Sequence, residues 1–91
     1  MLTIKHGRLF SRDYKRIKKR HYDLSELAKV IDMLVNEIPL PAKYHDHMLI
    51  GNYVGCHECH IGPDWLLVYE IQQEELILHL TRTGTHSDIF I

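Results

Sequence analysis

Apolar residues recur at helical spacing in the first part of the chain. Between residues 9 and 20, Phe10, Tyr14 and Ile17 are separated by four and then three positions, so they share one face of a helix. Most of the other positions in this stretch are basic, which predicts an amphipathic helix with a strongly cationic outer side. Its basic residues are Arg12, Lys15, Arg16, Lys18, Lys19 and Arg20.

A second helical pattern follows Asp23. Asp23 and Glu26 have the spacing of a capping box, with Asp in the cap position. Pro39 and Pro41 restrict the backbone before them, so this helix must end before position 37 or 38. Between these signals the apolar residues repeat in the pattern of one helix face. They are Leu27, Val30, Ile31, Leu34, Val35 and Ile38.

The second half of the chain has the short apolar runs and turn signals of β-strands. Gly62, Pro63 and Asp64 form a turn tripeptide, and residues 72–75 have the length of a hairpin loop. These turns predict a three-stranded antiparallel meander. Its strands are expected at residues 54–61, 65–71 and 76–82, and a weaker pattern at residues 2–5 predicts one more short strand.

The order of these elements, β-α-α-β-β-β, predicts an α+β fold. Two helices pack on one face of a small antiparallel sheet, and residues 40–53 form an ordered loop. The other face stays partly open, so polar side chains on it are accessible to a large ligand. Residues 1–91 are expected to form one domain, because two domains of half this length are too small for stable cores.

Composition and charge narrow the class of protein. The chain is 45% hydrophobic and 25% charged, as in ordinary soluble proteins. It has no apolar run long enough for a membrane span, and two cysteines without an export signal favour a reducing cytoplasm. Nine of the eleven Lys and Arg lie at or before Lys29, and nine of the twelve Asp and Glu lie after it. This segregation indicates either a basic face for phosphate or a solvated helix surface.

A metal site is one interpretation of the residues around Cys56 and Cys59. Their spacing is that of a zinc knuckle, and a zinc-stabilised interaction domain is one alternative function. A knuckle needs a tight turn, however, and the local pattern predicts a strand. In a strand the two side chains point to opposite faces, so we predict no metal site.

Proton transfer is the second interpretation of the polar residues. Histidine is suited to acid–base work near neutral pH, and the meander can bring several histidines to one carboxylate and one guanidinium. Such a set suits phosphoryl transfer, since the guanidinium neutralises charge that grows on phosphate. The candidates are His47, His60, Asp64, Arg82 and His86.

Each candidate also has an ordinary structural interpretation. A histidine on a small sheet is often only a hydrogen-bonded surface residue. Asp64 shapes the turn after Pro63, and Arg82 pairs with Glu58 across the sheet. Trp65 is expected to lie mainly in the core.

Three segments resemble the YafQ branch of the RelE-like toxins, which belong to bacterial type II toxin–antitoxin systems. They are residues 44–51 (YHDHMLIG), 60–69 (HIGPDWLLVY) and 82–90 (RTGTHSDIF), and the similarity continues upstream through 19–21 and 40–42. Cys56, His57 and Cys59 depart from the pattern of this branch.

The resemblance implies a small α+β endoribonuclease that cuts mRNA in the ribosomal A site. Cleavage proceeds by attack of the ribose 2′-hydroxyl on the adjacent phosphate, with neither metal nor cofactor. A cognate antitoxin blocks the toxin, and the pair binds operator DNA only as a complex. The implied partners are thus the antitoxin, the 70S ribosome and mRNA, with no membrane. The implied site residues are His47, His60, Asp64, Arg82, His86 and Phe90.

Each residue of this site can be given a chemical role. Asp64 or His47 acts as general base, His86 protonates the leaving oxygen, Arg82 stabilises the phosphorane and His60 orients the phosphate. Phe90 and Trp65 are expected to contact RNA, together with the basic residues of the first helix. The main alternative is a basic nucleic-acid or ribosome-binding module without catalysis, which needs the cationic helix but not a converging site.

Overall fold

Residues 1–90 are described by the computed structural model, and both predicted helices form where the apolar spacing places them. The structure contains five strands and three helices, with 3₁₀ turns at Ala42–Tyr44 and Gly51–Tyr53. The strands are β1 (Thr3–His6), β2 (His47–Met48), β3 (His57–Gly62), β4 (Trp65–Gln72) and β5 (Ile77–Gly84). The helices are α1 (Arg8–Lys19), α2 (Leu24–Val35) and α3 (His86–Phe90). None of the helices within residues 1–90 is long and apolar enough to cross a bilayer.

Helix α1 buries the predicted face, except that Asp13 is buried in place of Tyr14. Phe10 and Ile17 are buried in the core, whereas Tyr14 lies at the edge of this face and is 37% exposed. Asp13 is buried beside them, with only 1% of its surface exposed. A fully buried carboxylate requires a partner, which for Asp13 is Arg82 of β5.

Helix α2 begins and ends as its sequence signals indicate. Asp23 caps it by accepting a hydrogen bond from the Ser25 backbone amide at 3.1 Å. The helix ends at Val35, ahead of the two prolines, so Ile38 lies outside it and is 51% exposed. The inclusion of Ile38 in the apolar face was therefore wrong, because the backbone has left the helix before that position.

The predicted meander of β3, β4 and β5 is confirmed, but the sheet is larger than predicted. Its strand order is β1-β5-β4-β3-β2, with β1 parallel to β5 and all other neighbours antiparallel. Both helices follow β1 and carry the chain to β2 at the opposite edge of the sheet, and β3 and β4 then lead back to β5, which lies beside β1. Strand β2 has only two residues and falls in the segment predicted as a loop.

The two faces of the sheet have separate cores. Side chains alternate along β4, so Leu67 and Tyr69 pack against α1 and α2, whereas Leu66 and Val68 pack against Ile89 of α3. The second face is therefore partly covered by α3 and partly open, close to the prediction.

The two cysteines lie on opposite faces of the sheet, as predicted. Cys59 is in the core under the helices and Cys56 packs on the other side. Burial raises the pKa of the Cys59 thiol to about 12, so the free thiol is protonated at neutral pH. The position of the two side chains on opposite faces of the sheet contradicts a zinc knuckle at this pair.

Candidate active site

The site begins with two histidines that share one buried carboxylate. His47 of β2 is paired with Glu58 of β3, and His60 lies two residues further along the same strand. The Nε2 atoms of His47 and His60 are each 3.4 Å from Oε1 of Glu58. The Glu58 side chain is only 5% exposed, so the two imidazoles are its main electrostatic partners in the described chain.

The segment before β2 is anchored so that His47 has a fixed orientation. His47 Nδ1 donates to the backbone carbonyl of His45 at 2.7 Å, and the ring therefore presents Nε2 to the site. Between them, Asp46 accepts a hydrogen bond from the Tyr69 hydroxyl at 2.6 Å. Burial and the nearby Asp46 carboxylate raise the pKa of Tyr69, so the phenol remains a donor.

Asp64 and His86 form the second part of the site. Asp64 Oδ1 accepts hydrogen bonds from both the backbone amide and the ring Nδ1 of His86, each at 3.1 Å. These bonds hold the pKa of Asp64 below its usual value. A carboxylate only accepts, so Nδ1 carries the proton and Nε2 of His86 is free to exchange one with a ligand.

A continuous row of aromatic rings joins the two parts. The ring centroids of His47 and His60 are 6.2 Å apart, those of His60 and His86 6.1 Å, and those of His86 and Phe90 6.1 Å. Tyr53 then meets Phe90 edge-on at 5.7 Å. The structure therefore brings His47, His60, Asp64, His86 and Phe90 together on the partly open face, as predicted.

Arg82 reaches the site from β5 and is held by several acceptors. Its Nε donates to Asp13 at 2.6 Å and its Nη2 to Asp13 at 3.2 Å and to the Asp88 carbonyl at 3.1 Å. Its Nη1 donates to the Tyr53 hydroxyl at 3.3 Å. The expected pairing of Arg82 with Glu58 is wrong, because β4 lies between β3 and β5. The Asp13 carboxylate raises the pKa of Arg82, so the cation is permanent.

Trp65 packs in the core beneath the helices. It is 8% exposed, and its indole N–H donates to the Thr83 hydroxyl at 3.0 Å. The expectation that it lies mainly in the core is confirmed. Its predicted contact with RNA stays a prediction. Such a contact would involve the edge of the indole that lines an open cleft with Asp64 and Tyr22.

The cationic side of α1 is divided into two groups. Arg16 and Arg20, which are 34% and 40% exposed, each pair with the Asp88 carboxylate of α3, at 3.3 and 2.7 Å. The prediction that all six basic residues contact RNA stays a prediction. The remaining four are exposed to solvent: Arg12, Lys15, Lys18 and Lys19.

Sequence reasoning missed three residues that the site depends on. Asp13 carried a signal, because it stands between Phe10 and Ile17 on the apolar face of a helix. Glu58 stands two residues before His60 in a predicted strand, which places both side chains on one face. Tyr53 had no signal in the sequence, since its loop is positioned only by the tertiary structure.

The histidine–glutamate group also satisfies the basic requirements of a cation site. The ligand atoms of His47, Glu58 and His60 lie within 4.8 Å of one another, and imidazole with carboxylate suits a transition metal such as zinc or copper. The same three side chains equally suit proton transfer. The prediction that the protein uses no metal stays a prediction.

Comparison with known proteins gives a consistent result. Residues 2–91 match the model of a family described as the bacterial toxin YafQ of type II toxin–antitoxin systems. The chain is 39% identical over 88 residues to the mRNA interferase toxin YafQ of Escherichia coli K12, covering 96% of this chain and 94% of that protein.

Two solved structures show the same fold. A metal-bound toxin from Helicobacter pylori superposes with a TM-score of 0.92 at 46% identity, covering 99% of this chain and all of that one. The E. coli DinJ-YafQ complex contains a chain that superposes with a TM-score of 0.90 at 37% identity, with full coverage of both chains.

Proposed function

Since the chain belongs to the YafQ family of type II toxin–antitoxin toxins and is an mRNA interferase, we propose that it cuts mRNA in the A site of the ribosome by attack of a ribose 2′-hydroxyl on the adjacent phosphate. The observation that carries this proposal is the row of imidazoles between Glu58 and Asp64, together with Arg82, which is bound to the Asp88 carbonyl of α3. It supplies an acid, a base and a fixed cation, which are the groups that this reaction requires.

The reaction needs two proton transfers. A base takes the proton from the 2′-hydroxyl, O2′ attacks phosphorus, and the bond from phosphorus to O5′ breaks as an acid protonates O5′. The products are a 2′,3′-cyclic phosphate on the upstream fragment and a 5′-hydroxyl on the downstream one.

His47 is the better candidate for the base and His86 for the acid. Of the two bases that the sequence left open, Asp64 has its Oδ1 occupied by both donors of His86, which suits it to orienting that ring. His47 has Nδ1 fixed on a carbonyl and Nε2 in the site. His60, whose ring contacts both other imidazoles, is placed to bind the phosphate between them.

Arg82 supplies a fixed positive charge for the phosphorane. Within residues 1–90, four N–H···O contacts to protein acceptors leave one guanidinium hydrogen, on Nη1, for a phosphate oxygen. A charge that is already held in place needs no reorganisation as the transition state forms, which is the main source of electrostatic catalysis.

Recognition of RNA involves surfaces on both sides of the site. Phe90 is 42% exposed and suits stacking on an unpaired base. The four exposed cations of α1 suit the phosphates of ribosomal RNA. The partner that restrains this activity is a cognate antitoxin, and the pair acts on operator DNA as a complex. The E. coli relative has been solved as a DinJ-YafQ complex.

Expression in a bacterium with primer extension on a reporter mRNA tests this function. The wild type should give in-frame cuts that require translation of the reporter, and His86→Gln should abolish them. His79→Gln is the matched control, because His79 is a β5 histidine whose ring bonds only Thr81, at 3.4 Å, within residues 1–90. Ribosome binding without any cut by the wild type would instead support a non-catalytic binding module.

A further inference from the structure

We propose that Asp88 is a positioning residue that fixes His86 and Phe90 by binding α3 to Arg16 of α1 and to Arg20, the residue that follows α1. The inference rests on the proposed function, which gives His86 and Phe90 their roles in cleavage and RNA contact. The role of Arg16 and Arg20 is then to hold α3 in position. They are thereby removed from the RNA-binding surface.

The contacts between α3 and α1 are close and charged. Arg20 donates from Nη1 to Asp88 Oδ2 at 2.7 Å and from Nη2 to Oδ1 at 3.2 Å. Arg16 adds an ion pair at 3.3 Å. The Asp88 side chain is only 12% exposed, whereas those of Arg16 and Arg20 are 34% and 40% exposed, so solvent is excluded from the carboxylate but not from the two guanidinium groups. Consistently, the hydrogen bond from Arg20 lowers the pKa of Asp88.

The same carboxylate also starts helix α3. Asp88 Oδ2 accepts from the Thr85 backbone amide at 2.9 Å, and the Asp88 amide donates to the Thr85 hydroxyl at 3.1 Å. This reciprocal pair is a capping box. Helix α3 has five residues, which is far too short to be stable by itself, so it depends on such anchors.

The backbone around Asp88 is constrained from two further sides. Gly84 has φ +142°, and a Cβ at that position would lie 2.7 Å from Asp88 Oδ2. Only glycine therefore allows the end of β5 to approach the carboxylate this closely. The Asp88 carbonyl meanwhile accepts from Arg82 Nη2 at 3.1 Å, which links α3 to the cation of the site.

The position of α3 determines the position of two site residues. His86 and Phe90 each lie two residues from Asp88, one at either end of this short helix. The rings meet His60 and Tyr53, respectively, at centroid distances near 6 Å. If α3 is loosened, His86 moves away from the phosphate and Phe90 moves away from the RNA base on which it stacks.

Removal of either partner of the ion pair tests the inference. Asp88→Asn keeps an oxygen for the Thr85 amide but loses the charge, and Arg20→Gln loses the cation. We expect each to reduce kcat for translation-dependent cleavage about tenfold, and the double variant to be no worse than twofold beyond either single one. Arg20→Lys, which retains the charge, should recover activity to within threefold of wild type. Arg8→Gln is the control, since it removes an exposed arginine at the other end of α1.

Salt dependence separates this role from direct RNA binding. If Arg20 contacts a phosphate, Arg20→Gln lowers the slope of log KM against log salt by about 0.7–0.9, and Asp88→Asn leaves cleavage intact. If Arg20 acts through Asp88, both variants lose kcat and both keep the wild-type slope. The first result overturns the inference.

Amide hydrogen exchange of the free protein tests the inference even if cleavage is not detected. The amides of His86, Asp88 and Ile89 are hydrogen-bonded in and around α3. Their exchange should accelerate about tenfold in Asp88→Asn and Arg20→Gln, but not in Arg8→Gln. Unchanged exchange in both variants contradicts the anchoring itself, whereas a wild type that does not cut mRNA contradicts the proposed function alone.

Discussion

Asp64 and His86 are joined by two hydrogen bonds that end on the same carboxylate oxygen, one from the backbone and one from the ring, each 3.1 Å long. The arrangement orients the imidazole and stabilises it when it is protonated, as the carboxylate of a hydrolase triad does.

Asp64→Asn should therefore retain more activity than Asp64→Ala. An asparagine oxygen still accepts from both donors of His86, whereas alanine leaves the ring without a partner. We expect a loss of about tenfold in kcat for Asn and about 100-fold for Ala, in the range of general acid–base effects. Single-turnover cleavage of ribosome-bound mRNA measures both. An Asn variant as inactive as His86→Gln would show that Asp64 takes part in proton transfer itself.

Glu58→Gln should reduce cleavage strongly without unfolding the protein. The variant is isosteric, but it removes the charge that both Nε2 atoms of His47 and His60 face at 3.4 Å. We expect kcat to fall at least about tenfold and the thermal midpoint to change little. Glu75→Gln, at an exposed hairpin position, is the matched control. Equal cleavage by the two variants would exclude Glu58 from the site.

Asp13→Asn should be one of the most destabilising single substitutions in the chain. Asp13 is 1% exposed and accepts hydrogen bonds from Arg82 and from the Thr83 amide. The substitution removes the charge of Asp13 and leaves the largely buried Arg82 guanidinium without that counter-charge, which costs about 3–5 kcal/mol of unfolding free energy. Urea denaturation measures this loss of unfolding free energy. Glu26→Gln, which breaks the exposed pair with Lys29, should cost less than about 1 kcal/mol. Similar values for the two would contradict the role of Asp13.

The contribution of Asp88 to stability should disappear in acid. Its pKa is lowered in the folded protein, chiefly by the hydrogen bond from Arg20. A carboxylate of this kind stabilises the fold fully above its unfolded pKa of about 3.9 and progressively less below it. The difference in unfolding free energy between wild type and Asp88→Asn should thus be constant from pH 7 to 5 and shrink towards pH 3. A difference that does not change with pH would contradict the ion pair.

Much of the fold was predictable because its signals are local. The apolar spacing of α1 and α2 and the turn at Gly62–Asp64 required no knowledge of the tertiary structure. Helix α3 had a signal that was not used, since Thr85-His86-Ser87-Asp88 has the spacing of a capping box. Strand β2 had no signal in the sequence, because its two residues are extended through pairing with β3 and not through their own strand preference.

The site was predictable to a similar degree. The histidines, Asp64 and Phe90 were identified by residue type and by the family resemblance. The sequence indicated Arg82 as the cation of the site but not its ion pair with Asp13, because that partner lies 69 residues away on α1. The ion pairs of Arg16 and Arg20 with Asp88 could not be predicted, because the sequence shows the charges and not which of them meet in the fold.

The most direct test of the central claim is the chemistry of the cut ends. Metal-stripped protein is added to ribosomes programmed with an mRNA, in a buffer with phenanthroline, which removes transition metals and leaves the Mg²⁺ that ribosomes need. We predict a cut at the A-site codon with a 2′,3′-cyclic phosphate upstream and a 5′-hydroxyl downstream, slowed at least about 100-fold in His86→Gln. Ends with a 3′-hydroxyl and a 5′-phosphate, or cleavage by His86→Gln at the wild-type rate, would contradict it.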